Sequence, residues 1–424
     1  MSSPAVPVAL WVAGTAFFMR KLLLLCLVGV LAGSMPAAEP PGDPQWKWLE
    51  ERVRADALDF IAWNQLGQIA LRRYRETGDD AWLVRAGGAA EASMKAVGGE
   101  LNPAGLALRI RCDLAEHRFA AARDGARQLC ALQPGRESPL TLLGDALMEL
   151  GDLPGAAKAL AEVEEPTVAT LASRARLAWQ QGDRAAAAAG FAASLVAAEE
   201  EQVPAPLTIA WCHVQVGEFA FRTGDWSKAE ASYEAALAAL PGWWSAREHL
   251  AELRGAQGRV DDALALYEQA TASAPRPEVF QSAGDLLLFA KRGDEAKGWH
   301  DRAKQGYLRT IDQSRVLYIH HLAGFYSDSQ EDAGEAVKFA RKDLELRQSS
   351  GAWDALAWAL YRKGDLSGAR EAAGKALGSG LRDSHVLYHA AMIAMSAGEI
   401  AEGQRWLREC AQVNPHFAAF HVHR

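Results

Sequence analysis

Cysteine is scarce, five residues in 424, and no two of them form a Cys-x-x-Cys pair. Their spacing therefore excludes a zinc ribbon or a dithiol redox motif. The sequence also lacks a Gly-rich phosphate loop, a Gly-x-Ser-x-Gly elbow and a His-Glu-x-x-His motif. It shows no strand-like alternation of apolar and polar residues, and strands are what such motifs are commonly mounted on. An excess of positive charge is missing too. The formal net charge is -8, which argues against nucleic acid as a partner because that function needs a basic face. These absences leave no enzyme class with a sequence signature, and they lead us to expect a non-catalytic protein without a cofactor.

What is present is a spaced column of small, aromatic and proline residues. Gly217, Ala229, Tyr233, Ala236 and Pro241 surround a Gly224-Asp225-Trp226 step. Displaced by 34 positions, the column recurs as Ala251, Ala263, Tyr267, Ala270 and Pro275 around Gly258-Arg259. Small residues let two helices approach, and the bulky member fills the gap against a neighbour. Gly ends the first helix, Asp caps the second, and Pro stops it. This column resembles that of the tetratricopeptide repeat, over a stretch from about Ala62 to the end of the chain. The resemblance implies an all-α fold, a right-handed α-solenoid superhelix of about ten helix-turn-helix repeats. Within the family, the resemblance is to exported bacterial members.

The register can be followed along the chain. Trp46, Trp48, Leu49 and Val53 predict a short leading helix, and Trp63, Leu66 and Gly67 open the first repeat. Its inter-helix segment, Arg75 to Asp80, reads as an over-long loop. Around Ala197 to Pro206 the register slips, with Glu199, Glu200, Glu201 and two prolines in the surplus. We expect an extended helix end and a stiff connection there, a rigid corner or a hinge. The eighth repeat is the weakest: Ser327 to Gly334 is long and polar, and Asp343 stands where a small apolar residue belongs. The expected organisation is residues 1–38 as a signal peptide, 39–58 as linker and leading helix, 59–203 as an N-terminal array and 204–424 as a C-terminal array.

The signal-peptide reading rests on order. Arg20 and Lys21 precede the apolar run Leu22 to Leu31, then small residues and Pro36-Ala37-Ala38. Cleavage is expected after Ser34 or Ala38, with Met1 or Met19 as the start. The run is too short to span a bilayer, so the mature chain is expected to carry no membrane span and to be periplasmic or secreted. Leu25 before Cys26 disfavours lipid attachment. Cys112 and Cys130 fall on the two helices of one repeat, where they are either bonded or free.

In the family that the chain resembles, first helices line the concave face. Carried over position by position, the partner-binding residues implied are Trp211, Glu218 and Phe221 in the fifth repeat, Glu248 and Glu252 in the sixth and Asp285 in the seventh. The ninth supplies Trp358 and Tyr361, and the tenth Tyr388 and Met392. An acidic middle flanked by aromatics suits an extended protein segment carrying Lys or Arg. The expected function is a protein- or peptide-binding scaffold of unstated oligomeric state. Two other readings stay open. One is a metal-binding envelope protein, because His385 and His389 lie four apart on a predicted helix and His421 and His423 end the chain. The other is a structural subunit of an envelope complex.

Overall fold

The computed structural model describes residues 43–419. The expected signal peptide with its cleavage sites, Cys26, His421 and His423 lie outside the described residues. Among the described residues are 21 α-helices, one short π-helical turn and no strand. Helix α1 (Pro44–Ala55) stands alone, and the other helices follow as hairpin pairs. The first three pairs are α2 (Phe60–Thr77) with α3 (Asp80–Ala96), α4 (Pro103–Ala115) with α5 (Phe119–Leu132), and α6 (Glu137–Glu149) with α7 (Leu153–Ala161). The fourth and fifth are α8 (Val168–Gln180) with α9 (Arg184–Glu199) and α10 (Pro206–Arg222) with α11 (Trp226–Ala239). Next come α12 (Trp244–Ala256) with α13 (Val260–Ser273) and α14 (Pro277–Phe289) with α15 (Gly293–Asp312). The last three are α16 (Ile319–Gly324) with α17 (Ala333–Leu346), α18 (Ser350–Lys363) with α19 (Leu366–Leu377), and α20 (Ser384–Ser396) with α21 (Ile400–Val413). None of these helices is long and apolar enough to cross a membrane.

The repeated column explains why each pair closes. Tyr233 occupies the space where a Cβ on Gly217 would lie, and Ala229, Tyr233 and Ala236 are fully buried. Ala251, Ala263, Tyr267 and Ala270 repeat this in the next pair, again fully buried. A ring buried in this way contributes about 1.5–3 kcal/mol. In the seventh pair His300 takes the place of the tyrosine against Gly284, and its Nε2 lies 2.8 Å from Asp285 Oδ1. A buried polar ring requires such a partner. The aspartates of the inter-helix turns act as caps. Asp152, Asp183, Asp225 and Asp365 accept from the amides of Gly155, Ala186, Lys228 and Gly368.

Three irregular segments differ from the sequence reading or gain a reason. The loop expected from Arg75 to Asp80 is mostly helix: α2 continues to Thr77 and stops at Gly78, which adopts φ +67°. The eighth pair is irregular because α16 passes into a π-helical turn, Phe325–Ser329. Asp343 is buried there and holds Arg347 Nε at 3.0 Å. At the register slip, α9 ends at Glu199, residues 200–205 connect, and α10 packs back onto α9. The four cysteines Cys112, Cys130, Cys212 and Cys410 are free thiols.

Helices pack chiefly against their sequence neighbours, as in any solenoid. The turns of the first five pairs have a second set of contacts. They touch the segments that follow the sixth to the tenth pairs, so that one turn of the coil rests on the next. Between α13 and α14, Arg276 donates to the Gly78 carbonyl at 3.1 Å, 198 positions away. It also lies 3.5 Å from Asp80, and pairs with Glu278 on its own side. Its guanidinium stacks 4.9 Å from Trp244 and 5.6 Å from Tyr74. Between α15 and α16, Arg315 binds Glu116 at 2.5 and 3.0 Å, 199 positions away. Between α17 and α18, the Gln348 amide donates to the Glu149 carbonyl at 2.9 Å, beside an Arg347–Glu149 pair at 3.7 Å. Asp383, before α20, takes Arg222 at 3.3 Å, and Gly182 abuts the Gly380 carbonyl. After α21, Asn414 Nδ2 donates to the Phe221 carbonyl at 3.2 Å, with Pro415 against Gly224. These contacts advance one repeat at a time and form a seam.

The turn glycines report the same division. Gly78, Gly151, Gly182 and Gly224 are left-handed and face atoms of the other coil turn, whereas left-handed Gly258, Gly364 and Gly398 have nothing within 4 Å of a Cβ position. Gly182→Ala and Gly258→Ala therefore form a matched pair, with φ of +82° and +77°. Both carry the left-handed strain of about 1–2 kcal/mol, and Gly182→Ala adds overlap with the Gly380 carbonyl. Urea unfolding should show Gly182→Ala losing roughly 1–3 kcal/mol more than Gly258→Ala; equal losses would show that the seam is not closed at this position.

Candidate functional site

First helices of seven of the ten pairs bound a common cavity. Side chains from α6, α8, α10, α14, α16, α18 and α20 bound a cavity of about 630 Å³. Its largest apolar side chains are Trp179 and Trp358. The guanidinium of Arg222 lies 5.4 Å over the Trp179 ring, and Trp358 Nε1 donates to Asp328 at 3.0 Å. The seam helps to build this wall, because Glu149, Arg222, Arg347 and Asp383 belong to both. The wall arginines are committed: Arg176 to Asp145 at 2.6 Å, Arg222 to Asp383 at 3.3 Å and Arg347 to Asp343 at 3.0 Å. A second hollow of about 480 Å³ is lined by Ser327, Glu331, Ala333, Tyr361 and Arg362.

The structure distributes the residues selected from sequence over several environments. Glu218 and Trp358 line the main cavity, while Tyr361 lines the second hollow and stacks on Trp358 at 4.9 Å. Tyr388 and Met392 are half-buried on α20, with Tyr388 6.4 Å from the Phe417 ring. Trp211 is half-buried against Ala210, Val214 and their neighbours. Phe221 is a core residue at 5% exposure instead of a groove residue. Glu248 is buried as well, and burial raises its carboxyl above the usual range, with Glu252 and Glu278 adding to the rise against an opposing His249. Glu252 pairs with His249 Nδ1 at 3.1 Å, and Asp285 with His300 at 2.8 Å and Ser329 at 2.7 Å. The acidic middle expected of the groove is thus engaged internally, by burial at Glu248 and by hydrogen-bond partners at Glu252 and Asp285, as buried carboxylates require.

Sequence reasoning passed over Arg176, Trp179 and Gln180, which stand at the ninth, twelfth and thirteenth places of the fourth repeat. The rule applied to the later repeats finds them when it is applied there. Asp328 and Asp383 carry no such signal, since they sit in the π-helical turn and in a connection.

Histidines form two groups at or beside the cavity wall. In the first, Asp354 of α18 joins His385 and His389 of α20, and it supplies the carboxylate that spacing alone could not identify. Burial pushes the Asp354 carboxyl up, but the charge and hydrogen bond of His389, with His385, outweigh this and hold it below the usual range. The Trp358 ring stacks on His389 at 4.0 Å and 9°. The second group lies at the seam. The His117 ring, in the turn between α4 and α5, is 4.9 Å from that of His320, which is 3.8 Å from that of His321. Burial, reinforced by Arg347 and the neighbouring cations, pushes His117 and His321 down to about 3 and lowers His320.

That depression sets a sign. The unfolded chain protonates these imidazoles near pH 6.5, while the folded chain keeps His117 and His321 neutral to about pH 3 and lowers His320 as well. Between those values the unfolded state binds more protons, so the stability they confer is present above pH 6.5 and is lost as pH falls toward 3. His117→Asn removes one of the group, and Asn tolerates the φ of 59° at that position. The melting temperature of the wild type should fall from pH 7 to pH 5, and the fall in His117→Asn should be smaller by about 2 °C or more. Identical falls would remove His117 from the effect.

The tetratricopeptide-repeat profile matches residues 220–286, the stretch from α10 to α14 in which the column is cleanest. No curated protein matches the chain in sequence. Among solved structures, a tetratricopeptide repeat protein from Parabacteroides merdae is similar with a TM-score of 0.39 at 17% identity, over 57% of this chain and 93% of that one. The human IFIT1 dimer with PPP-AAAA has a TM-score of 0.43 at 13% identity, over 87% and 85%. Yeast Tom70 has a TM-score of 0.34 at 12% identity, over 84% and 92%.

Proposed function

We propose that this chain is a non-catalytic interaction scaffold that holds an extended segment of a protein partner inside the coil. The observation that carries the reading is the cavity of about 630 Å³, walled by first helices of both coil turns and faced by Trp179 and Trp358. Trp is among the side chains that most often anchor interfaces, and Gln180 and Gln215 offer amides to a peptide backbone. A protein segment suits this wall better than a polyanion. Arg176, Arg222 and Arg347 already have carboxylate partners, whereas nucleic-acid binding draws on cations that can neutralise phosphates. Of the residues selected from sequence, Glu218 and Trp358 line this cavity, which supports the reading.

Gly351 permits a steric test. It is exposed on the cavity wall, and nothing lies within 4 Å of a Cβ placed there. Gly351→Trp should fill part of the cavity without touching the core. Gly374→Trp, on exposed and equally open α19, is the control. Peptides selected on the wild-type protein from a display library should bind Gly351→Trp at least tenfold more weakly, with Gly374→Trp unchanged in fluorescence anisotropy. Equal affinities for all three proteins would move the binding surface out of the cavity.

A further inference from the structure

We propose that Asp354, His385 and His389 form a site for one divalent transition-metal ion of the zinc class, opening onto the inner cavity. The proposal goes beyond the scaffold reading and stands without it. His385 and His389 are about one turn apart on α20, so both rings leave the same face of that helix. Asp354 reaches them from α18, the first helix of the preceding pair. The three ligand atoms all lie within 4.8 Å of one another. Asp354 Oδ2 is the hub, 3.0 Å from His389 Nδ1 and 3.8 Å from His385 Nε2. Donors about 2.0–2.1 Å from zinc at tetrahedral angles lie about 3.4 Å apart. Both separations fall within a few tenths of an ångström of that spacing.

The donor set selects the ion. Two imidazoles and one carboxylate suit zinc and its imidazole-preferring neighbours, and they are a poor set for calcium or magnesium, which take oxygen ligands. The surroundings hold the donors in place. Asp354 and His389 are buried, and the stacked Trp358 ring fixes the plane of His389 while its indole N–H is anchored on Asp328. His385 is the exposed member, 46% accessible at the cavity wall. Three protein donors leave one coordination position, and it faces the cavity, where water or a donor atom of a bound molecule completes the shell. The ion would also tie α18 to α20 across two adjacent repeats.

Titration calorimetry of the chelator-treated full chain with zinc chloride tests the site. The wild type should take up one ion per chain, His385→Ala and Asp354→Asn should each bind at least tenfold more weakly, and His421→Ala/His423→Ala should retain the wild-type affinity. Circular dichroism checks the fold of each variant. If Asp354→Asn misfolds, the half-exposed His385→Ala decides alone. Cobalt substitution gives an independent reading: visible d–d bands without thiolate charge transfer are expected, and they should be lost in His385→Ala. Absence of zinc uptake by the wild type would overturn the proposal. So would wild-type affinity in His385→Ala, loss confined to the His421→Ala/His423→Ala variant, or a thiolate band placing the metal on cysteine.

Discussion

The coil depends on a row of arginines that carry one of its turns on the other. A stack of helix pairs specifies contacts only between neighbours, and its curvature is otherwise the sum of small rotations between repeats. Here Arg276, Arg315 and Arg347 sit in successive connections of the second coil turn and bind groups on successive inter-helix turns of the first. A further ion pair runs the other way, with Arg222 on the first coil turn and Asp383 on the second, 161 positions apart. Arg276 and Glu116 are buried, so removing one partner of such a pair costs about 3–5 kcal/mol, although forming the pair returns far less than that. Their main effect is therefore to fix register. A slip by one repeat would leave several buried charges unpaired at once.

The seam also determines what the inner face can bind. In an open solenoid the first helices present a broad groove. Here Arg222, Asp383, Arg347 and Glu149 are both seam and wall, so the groove is bounded on a side where it would otherwise be open. The π-helical turn at Phe325–Ser329 belongs to the same construction. It places Ser329 on Asp285 and Asp328 on the Trp358 indole, and so links the seventh, eighth and ninth pairs at the cavity wall. The apparent misfit at Asp343 has the same origin: a small apolar residue would complete the helix pair but would leave Arg347 without the carboxylate that aims it at Glu149.

Much of this was legible in the chain. The column from Gly217 to Pro241 carries the helix pairing because each member answers a local packing need: Tyr233 fills the space above Gly217, and Asp225 caps α11. Local chemistry of this kind recurs at a fixed spacing, and pattern reveals it. The seam does not recur in that way. Its contacts are made by an arginine on a backbone carbonyl at one repeat, by two amide backbones at another and by glycine against glycine at a third. Its arginines, Arg276, Arg315 and Arg347, stand at unequal intervals, so no fixed period marks it, and its separation of 198 positions depends on coil pitch, which a repeat period does not encode. The acidic groove differs from expectation for a related reason: Glu248, Glu252 and Asp285 do lie on first helices, but His249 and His300 stand within hydrogen-bond distance of Glu252 and Asp285. Asp354 was visible as a wall position, and its meeting with His385 and His389 required the neighbouring helix to be in place.

The central claim is that two coil turns are physically joined, and a double-mutant cycle on Arg315 and Glu116 tests it most directly. These residues lie 199 positions apart and meet only if the seam exists. Urea unfolding of the wild type, Arg315→Met, Glu116→Gln and the double variant would give their coupling energy. A coupling of about 1–3 kcal/mol is expected, with each single variant more damaging than its share of the double. A coupling indistinguishable from zero would contradict it and would return the molecule to an open solenoid in which only neighbouring repeats touch.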